Sequence, residues 1–466
     1  MKQKVDLTTG PILRKLLIVA IPTLLTSLVQ MTYNLTDMFW VGKVDRMGLV
    51  PTEAIAAVGT VGYFPWFGMG LIMLIKLGSS VHISQMAGKN DTEGIKKIGN
   101  TGFVLMLGVF ILYMLFGVFF TDFYVGLFKL DNANVVIYAT DYMRIISLFG
   151  FSYFLTNFFN GVYEGLGKTL NTFLITASGL ILNMVLDPLF ILNDISIFGM
   201  ENIGLGMGVK GAAIATVISQ GFIFATYIVI YLTKVRPFAI RPFKYFNKES
   251  MRKILKVGTP VGLQSVLFTS ISIVIGIMVS AYGAEVIASQ RLGTQIEAVA
   301  WMIASGFQVA LASFVGQNFG AQQYDRIKKG YKVALRLLIP YGIAVNVLMF
   351  VFAKDVFRVF IDEPSTLEIG VKYLRILSVS QLFMIIELGT AGAFNGLGKT
   401  IIPSTVGVIG NALRIPGAYI LGLSIGYLGI WWSVSISSVL KGTILVIWFV
   451  LLLRRLGKPG GIQFDN

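Results

Sequence analysis

The chain has 466 residues, 55% of them hydrophobic and only 13% charged, with a mean hydropathy of +0.77. That balance excludes a soluble globular domain, in which about a quarter of the residues are charged. No cysteine and a single histidine, His82, exclude disulfides, thiolate metal sites and histidine-cluster metal chemistry, and the net charge of +15 must be accounted for by where the basic residues fall.

Continuous apolar stretches of membrane-spanning length recur from end to end, near 13–42, 54–80, 98–122, 135–160, 170–193, 209–233, 253–281, 287–314, 330–353, 368–393, 401–423 and 427–453. A membrane β-barrel would show short alternating segments instead, so the sequence predicts an all-α polytopic protein of twelve transmembrane helices. The start, KQKVDLTTGPILRKLLIVAIP, is basic and then apolar like a signal peptide. The apolar run continues through TLLTSLVQM with no small-residue cleavage site, which predicts a retained first span.

Span 1 contains Pro22 and then Tyr33 and Asp37 in YNLTDMFWVG. Lys76, near the end of span 2, is expected to snorkel toward the interface. Span 5 reads LNMVLDPLF, which sets Asn183 and Asp187 one helical turn apart on the same side, with Pro188 removing a backbone donor beside them. Thr216 follows on span 6 in GAAIATVIS, where small residues permit close helix approach. In the second half, Arg291, Gln295 and Glu297 lie on span 8, Glu387 on span 10 and Arg414 on span 11. This mixed-sign set reads as internal ion pairs, the competing reading being that Glu297 or Glu387 faces a cavity and attracts cationic substrates. Tyr33 belongs to a set of aromatics able to line such a cavity.

Basic residues collect before span 1, after span 2, in the connection KVRPFAIRPFKYFNKESMRKILK, in YDRIKKGYK and at the C-terminus, whereas alternate loops are acidic or mixed (Asp194, Glu201, Asp355, Asp362, Glu363). The bias places both termini in the cytoplasm of a multi-pass cell-membrane protein and reports contact with anionic headgroups rather than nucleic acid. GLGKT occurs between spans in both halves and lacks the upstream glycine of a phosphate-binding loop, so it reads as a tight turn. No enzymatic constellation is present, and no cofactor is expected.

An internal repeat organises the chain. DYMRIIS (141–147) recurs as KYLRILS (372–378), YEGLGKT (163–169) as FNGLGKT (394–400), and ISQMAGKN (83–90) as VGQNFGAQ (315–322). Pro22 corresponds to Pro260 and Asn183 to Asn411. The organisation is an N-lobe over 1–233, a basic linker over 234–252 and a C-lobe over 253–466, related by a pseudo-two-fold along the membrane normal with a cavity between them. Asp37 and Asp187 break the repeat, for their counterparts are Ile275 and Ile415. A charge at membrane depth costs at least about 2.5–3.5 kcal/mol, so two acids confined to one half predict an ion-binding cluster. Carboxylate, amide and hydroxyl oxygens suit sodium, and a buried carboxyl can instead take a proton.

AIPTLLTSLVQMTYNLTDMFWVG, NGVYEGLGKT, LNMVLDPLFI and GAAIATVIS together resemble the multidrug and toxic compound extrusion (MATE) family over essentially the whole chain, most closely its DinF-like and archaeal-type branch. The resemblance implies an N-lobe cation site made of Asp37, Asp187, Asn183 and Thr216, with Asn160 as a further polar position. It implies a monomeric antiporter that exports bulky, often cationic, lipophilic small molecules in exchange for sodium or protons, with membrane lipid as its surroundings. The competing reading is a flippase for lipid or oligosaccharide precursors, from the same superfamily. Unlike the NorM-like branch, TPVGLQSVLFTSISI in span 7 carries no acid, and Glu387 stands at a shifted position on span 10. Pro22 is a candidate hinge of span 1, weighed against a passive proline at the helix start.

Overall fold

The computed structural model describes residues 5–41, 43, 57–58, 60–128, 132–193, 203–232, 236–360, 363–459, 461 and 463. Lys2, Lys4, Asp194, Glu201, Asp362 and the expected N-lobe boundary at 233 lie outside them. The helices, in chain order, are α1 (Ile12–Val41), α2 (Tyr63–Lys89), α3 (Thr92–Phe119), α4 (Thr121–Gly126), α5 (Ala133–Leu148), α6 (Phe151–Gly165), α7 (Thr169–Ile191) and α8 (Gly208–Leu232), then α9 (Pro242–Tyr245) in the linker. The second half holds α10 (Lys248–Ser280), α11 (Ala284–Gly320), α12 (Tyr324–Val351), α13 (Ala353–Arg358), α14 (Pro364–Gly396), α15 (Ile401–Ala412), α16 (Arg414–Ile425) and α17 (Tyr427–Arg455).

Eleven spans are single helices or nearly so, and α5 with α6, bent by 50°, supplies the twelfth. The bend falls in a span that the sequence predicts as continuous. The Ser147 hydroxyl bonds back to the Met143 carbonyl, which weakens the ladder just before Gly150. Span 11 divides between α15 and α16 for a simpler reason. Pro416 has no N–H to give Ala412. Spans 2 and 8 outrun their predicted ends and continue to Lys89 and Gly320. Their last turns are polar, yet Ser84, Gln85, Gln317 and Asn318 are buried, because each helix end is packed inside the opposite lobe's surface. The linker also ends early, since α10 already begins at Lys248.

Each half forms one lobe. In the N-lobe α1 packs along α7 and α7 along α8, over a core rich in Phe154, Phe158 and Phe159. The lobes meet through α1 against α11 and through α2 against both α10 and α11. Gly258 makes this approach possible, because a Cβ there would strike the Leu74 carbonyl. The linker is docked rather than loose. Asn100 donates to the Ala239 carbonyl (3.1 Å) and accepts from the Arg241 amide (2.6 Å), while Phe238 packs over Gly99.

Pro22 is interior to α1, which begins ten residues earlier, so the passive start-of-helix position does not apply. Its missing N–H frees carbonyls in the preceding turn, and Thr169 of the GLGKT turn supplies a substitute donor. The Thr169 hydroxyl lies 2.9 Å from the Val19 carbonyl and 3.4 Å from that of Ile18. The second lobe repeats the arrangement: Thr400 donates to the Val257 carbonyl, three residues before Pro260, at 2.6 Å. Thr169→Val and Thr400→Val should each cost about 1–3 kcal/mol and lower the melting temperature in detergent by a few degrees. Unchanged melting in both variants would show that these carbonyls find other donors.

Candidate functional site

Asp37 stands four residues before the end of α1, and Asp187 four before the end of α7, so the packing of these two helices brings the acids to the same depth. The end of α7 is held by the returning chain. Leu205 and Met207 donate to the Leu189 and Phe190 carbonyls at 2.7 and 2.9 Å, and Gly211 lets the start of α8 lie against the Phe190 carbonyl. Thr216 follows five residues later, and its hydroxyl is 3.3 Å from that of Tyr33 on α1. Tyr142 of α5 lies within electrostatic range of Tyr33, Asp37 and Asp187.

The polar atoms of this cluster are unpaired. Asp187 is fully buried and Asn183 is 1% exposed. Neither oxygen of Asp187, neither side-chain polar atom of Asn183, nor the buried oxygen of Asp37 makes a hydrogen bond. Asn183 is beside Asp187 but outside hydrogen-bonding geometry. An apolar plug of Val41, Ile191, Leu192, Val209 and Ala212 closes the helix ends above it. Buried polar atoms without partners cost about 1–3 kcal/mol each, and charged ones more. Asp37 is half-buried and the nearer of the two acids to the surface. Among the described residues no cluster of three or more acids or histidines gathers to hold a metal.

The matching positions in the C-lobe show the contrast. Ile275 and Ile415 pack in one apolar cluster with Trp431 and Tyr373, so the acid pair is replaced there by hydrocarbon. Gly429, like Gly211, packs on a helix-end backbone, and five residues on Val434 stands where Thr216 does.

Other buried charges have internal partners. Lys76 does not snorkel; its ammonium is 2.9 Å from Glu164 of the GLGKT turn. Glu387 does not line an open cavity, because Lys441 of α17 lies 3.4 Å away and both side chains are largely buried. Glu297 is 3% exposed and one of its oxygens has no hydrogen-bond partner, while the Arg414 guanidinium donates to the Ser437 and Ser438 hydroxyls. The internal ion-pair reading thus holds for Glu387, with Lys441 as its partner. Asn160 is likewise not part of the acid cluster. It accepts from the Tyr227 hydroxyl, three turns along α8 from Thr216, about 16 Å. Sequence reasoning missed Lys441 altogether, although a lone base in the apolar run SVLKGTIL is itself a signal.

A family model described as MatE matches residues 22–189 and again 260–420, each match opening at one of the paired prolines. The chain belongs to the MatE family. Relatives include a probable multidrug resistance protein NorM of Thermotoga maritima, 24% identical over 94% of this chain and 93% of that protein. The probable multidrug resistance protein YpnP of Bacillus subtilis is 26% identical over 93% of both. A solved outward-facing conformation of a MATE family transporter of the MOP superfamily superposes with TM-score 0.87 at 23% identity, covering 98% of this chain and 99% of that one. The MatE fold accounts for two lobes of six spans, while the uncompensated acids are a property of this chain's own N-lobe.

In the C-lobe, Lys441→Met should strand Glu387 and lower the melting temperature by several degrees, since breaking a buried pair costs about 3–5 kcal/mol. Adding Glu387→Gln to that variant should recover most of the loss. A double variant no more stable than Lys441→Met would show that Glu387 is held by other groups.

Proposed function

We propose that the protein is a multidrug efflux antiporter of the cell membrane, working as a monomer with both termini cytoplasmic. It exports bulky lipophilic, often cationic compounds in exchange for a proton or a sodium ion bound at Asp37 and Asp187. The observation that carries the reading is the pair of buried acids with no internal counter-charge, beside a second lobe in which Ile275 and Ile415 replace them and Glu387 is paired with Lys441. The names of the relatives supply the substrate class.

Ion and substrate compete for one state of the N-lobe. Entry of a cation at Asp37 and Asp187 satisfies their oxygens, with Thr216 and Tyr33 as neutral donors of oxygen. It also removes the negative charge that holds a cationic substrate, so the substrate leaves outward. Once the cation escapes to the cytoplasm, the acids are restored for the next substrate. One charge moving down about 100 mV supplies about 2.3 kcal/mol, which sustains a roughly fiftyfold gradient of a neutral compound. A flippase for phosphate-bearing lipids would need cationic groups free to meet the headgroup. The buried cations Lys76, Arg414 and Lys441 instead face acids of their own lobe.

Asp37→Asn and Asp187→Asn preserve shape and remove charge. In proteoliposomes with an imposed sodium or pH gradient, each should lower coupled export at least tenfold while leaving expression unchanged. Native export rates in both variants would exclude the N-lobe acids as the coupling site.

A further inference from the structure

We propose that Gln85 and Gln317 form a pseudo-symmetric gate at the cytoplasmic end, broken and remade in each transport cycle; this rests on the antiporter reading above. Gln85 is on α2, in the N-lobe, and its side-chain amide donates to the Gly396 carbonyl in the C-lobe's GLGKT turn at 2.9 Å. Gln317 is on α11, in the C-lobe, and donates in return to the Gly165 carbonyl of the N-lobe's GLGKT turn at 3.4 Å. The two glutamines are 5% and 0% exposed.

The reciprocity extends to the backbone. Gly88 leaves no room for a Cβ against the Gln317 carbonyl, and Gly320 leaves none against the Gln85 carbonyl. Both helices then end alike, with Asn90 and Gln322 in left-handed conformation at φ 60° and 56°. The repeated sequences QMAG (85–88) and QNFG (317–320) thus cross at the pseudo-two-fold itself, each glutamine reaching the opposite lobe's turn. Glycine permits backbone contact, and the amide satisfies a carbonyl that the turn leaves open. Ser313 adds a third bridge by donating to the Glu164 carbonyl at 2.6 Å.

One element breaks the symmetry. Residues 5–10 cross the seam as a strap: the Val5 amide donates to the Leu166 carbonyl of the N-lobe, and the Leu7 amide to the Gln317 side-chain oxygen. Arg326 holds the strap from the C-lobe through the Leu7, Thr9 and Gly10 carbonyls at 2.8–3.2 Å. Apart from the bond of Val5, which ties the strap to its own lobe, these bonds join one lobe to the other. A few neutral hydrogen bonds contribute about 0.5–1.5 kcal/mol each, which seals the seam without fixing it.

The chain has no cysteine, so a single Ser84→Cys reports on the seam. Ser84 is 1% exposed and its hydroxyl bonds within α2, so the replacement spares the bridges. In inside-out vesicles labelled with an impermeant maleimide, Gln85→Leu and Gln317→Leu should each raise the labelling rate at least threefold, and Gly88→Ala or Gly320→Ala should do the same. Unchanged labelling in all four variants, with monodisperse protein, would overturn the gate. Labelling needs no substrate, so it stands even if export itself is disproved. A second arm joins Ser84→Cys to Gly316→Cys, whose Cβ positions, 2.9 Å apart, need to separate by about 1 Å to take disulfide spacing. Oxidation should block exchange at least tenfold, with recovery on reduction. Full exchange by the cross-linked protein would place the gate elsewhere.

Discussion

A charge taken out of water must meet an opposite charge, a proton or a loss of stability, and this chain meets that requirement differently in its two halves. Lys76 has Glu164, Lys441 has Glu387, and Arg414 lies between Glu387 and Glu297. Asp37 and Asp187 have two hydroxyls, an amide and each other, but no base among the described residues. The C-lobe carries its own cations; under the proposed antiport the N-lobe takes one from solution. A duplicated fold has thereby become a rigid partner and a responsive one.

The response has a mechanical route. α1 packs along α7, bonded to it at one end by Thr169 on the Val19 carbonyl, and at the other the two helices face each other through the unpaired acids. The first of these joints lies beside the seam, where Gly306 of α11 packs on the Ala20 carbonyl and the GLGKT turn meets Gln317. Under the proposed antiport a change in spacing between Asp37 and Asp187 is carried along these two packed helices to the surfaces that hold the lobes together. Pro22 lies between the joints, where α1 has one fewer backbone bond to resist bending.

Much of this was legible in the residues. Twelve apolar runs and a repeated set of motifs were enough for two lobes, and acids present in one repeat and replaced by isoleucine in the other marked the site. Asn183 followed from helical spacing, Thr216 from its small-residue span and the resemblance, and Tyr33 only as one of a set of cavity aromatics. Partner choice across the lobe was not legible, because periodicity gives the face of a helix but not which helix faces it. Lys76 therefore read as a snorkelling base, Glu297 and Glu387 stayed open between ion pairs and a cavity, and Asn160 was placed with the acids by resemblance although it bonds Tyr227. The bend at Gly150 and the break at Leu413, before Pro416, were hidden for a related reason: hydropathy does not register a weakened backbone ladder.

The central claim is that one cation and one substrate compete for the Asp37–Asp187 pair. Ion release on substrate binding tests it most directly, in weakly buffered detergent solution, with a pH indicator and a sodium electrode read together. The account predicts that a saturating cationic substrate displaces about one proton or sodium ion per protein, and that Asp187→Asn abolishes the release. Saturable substrate binding to the native protein with no cation released, or undiminished release from Asp187→Asn, would contradict it.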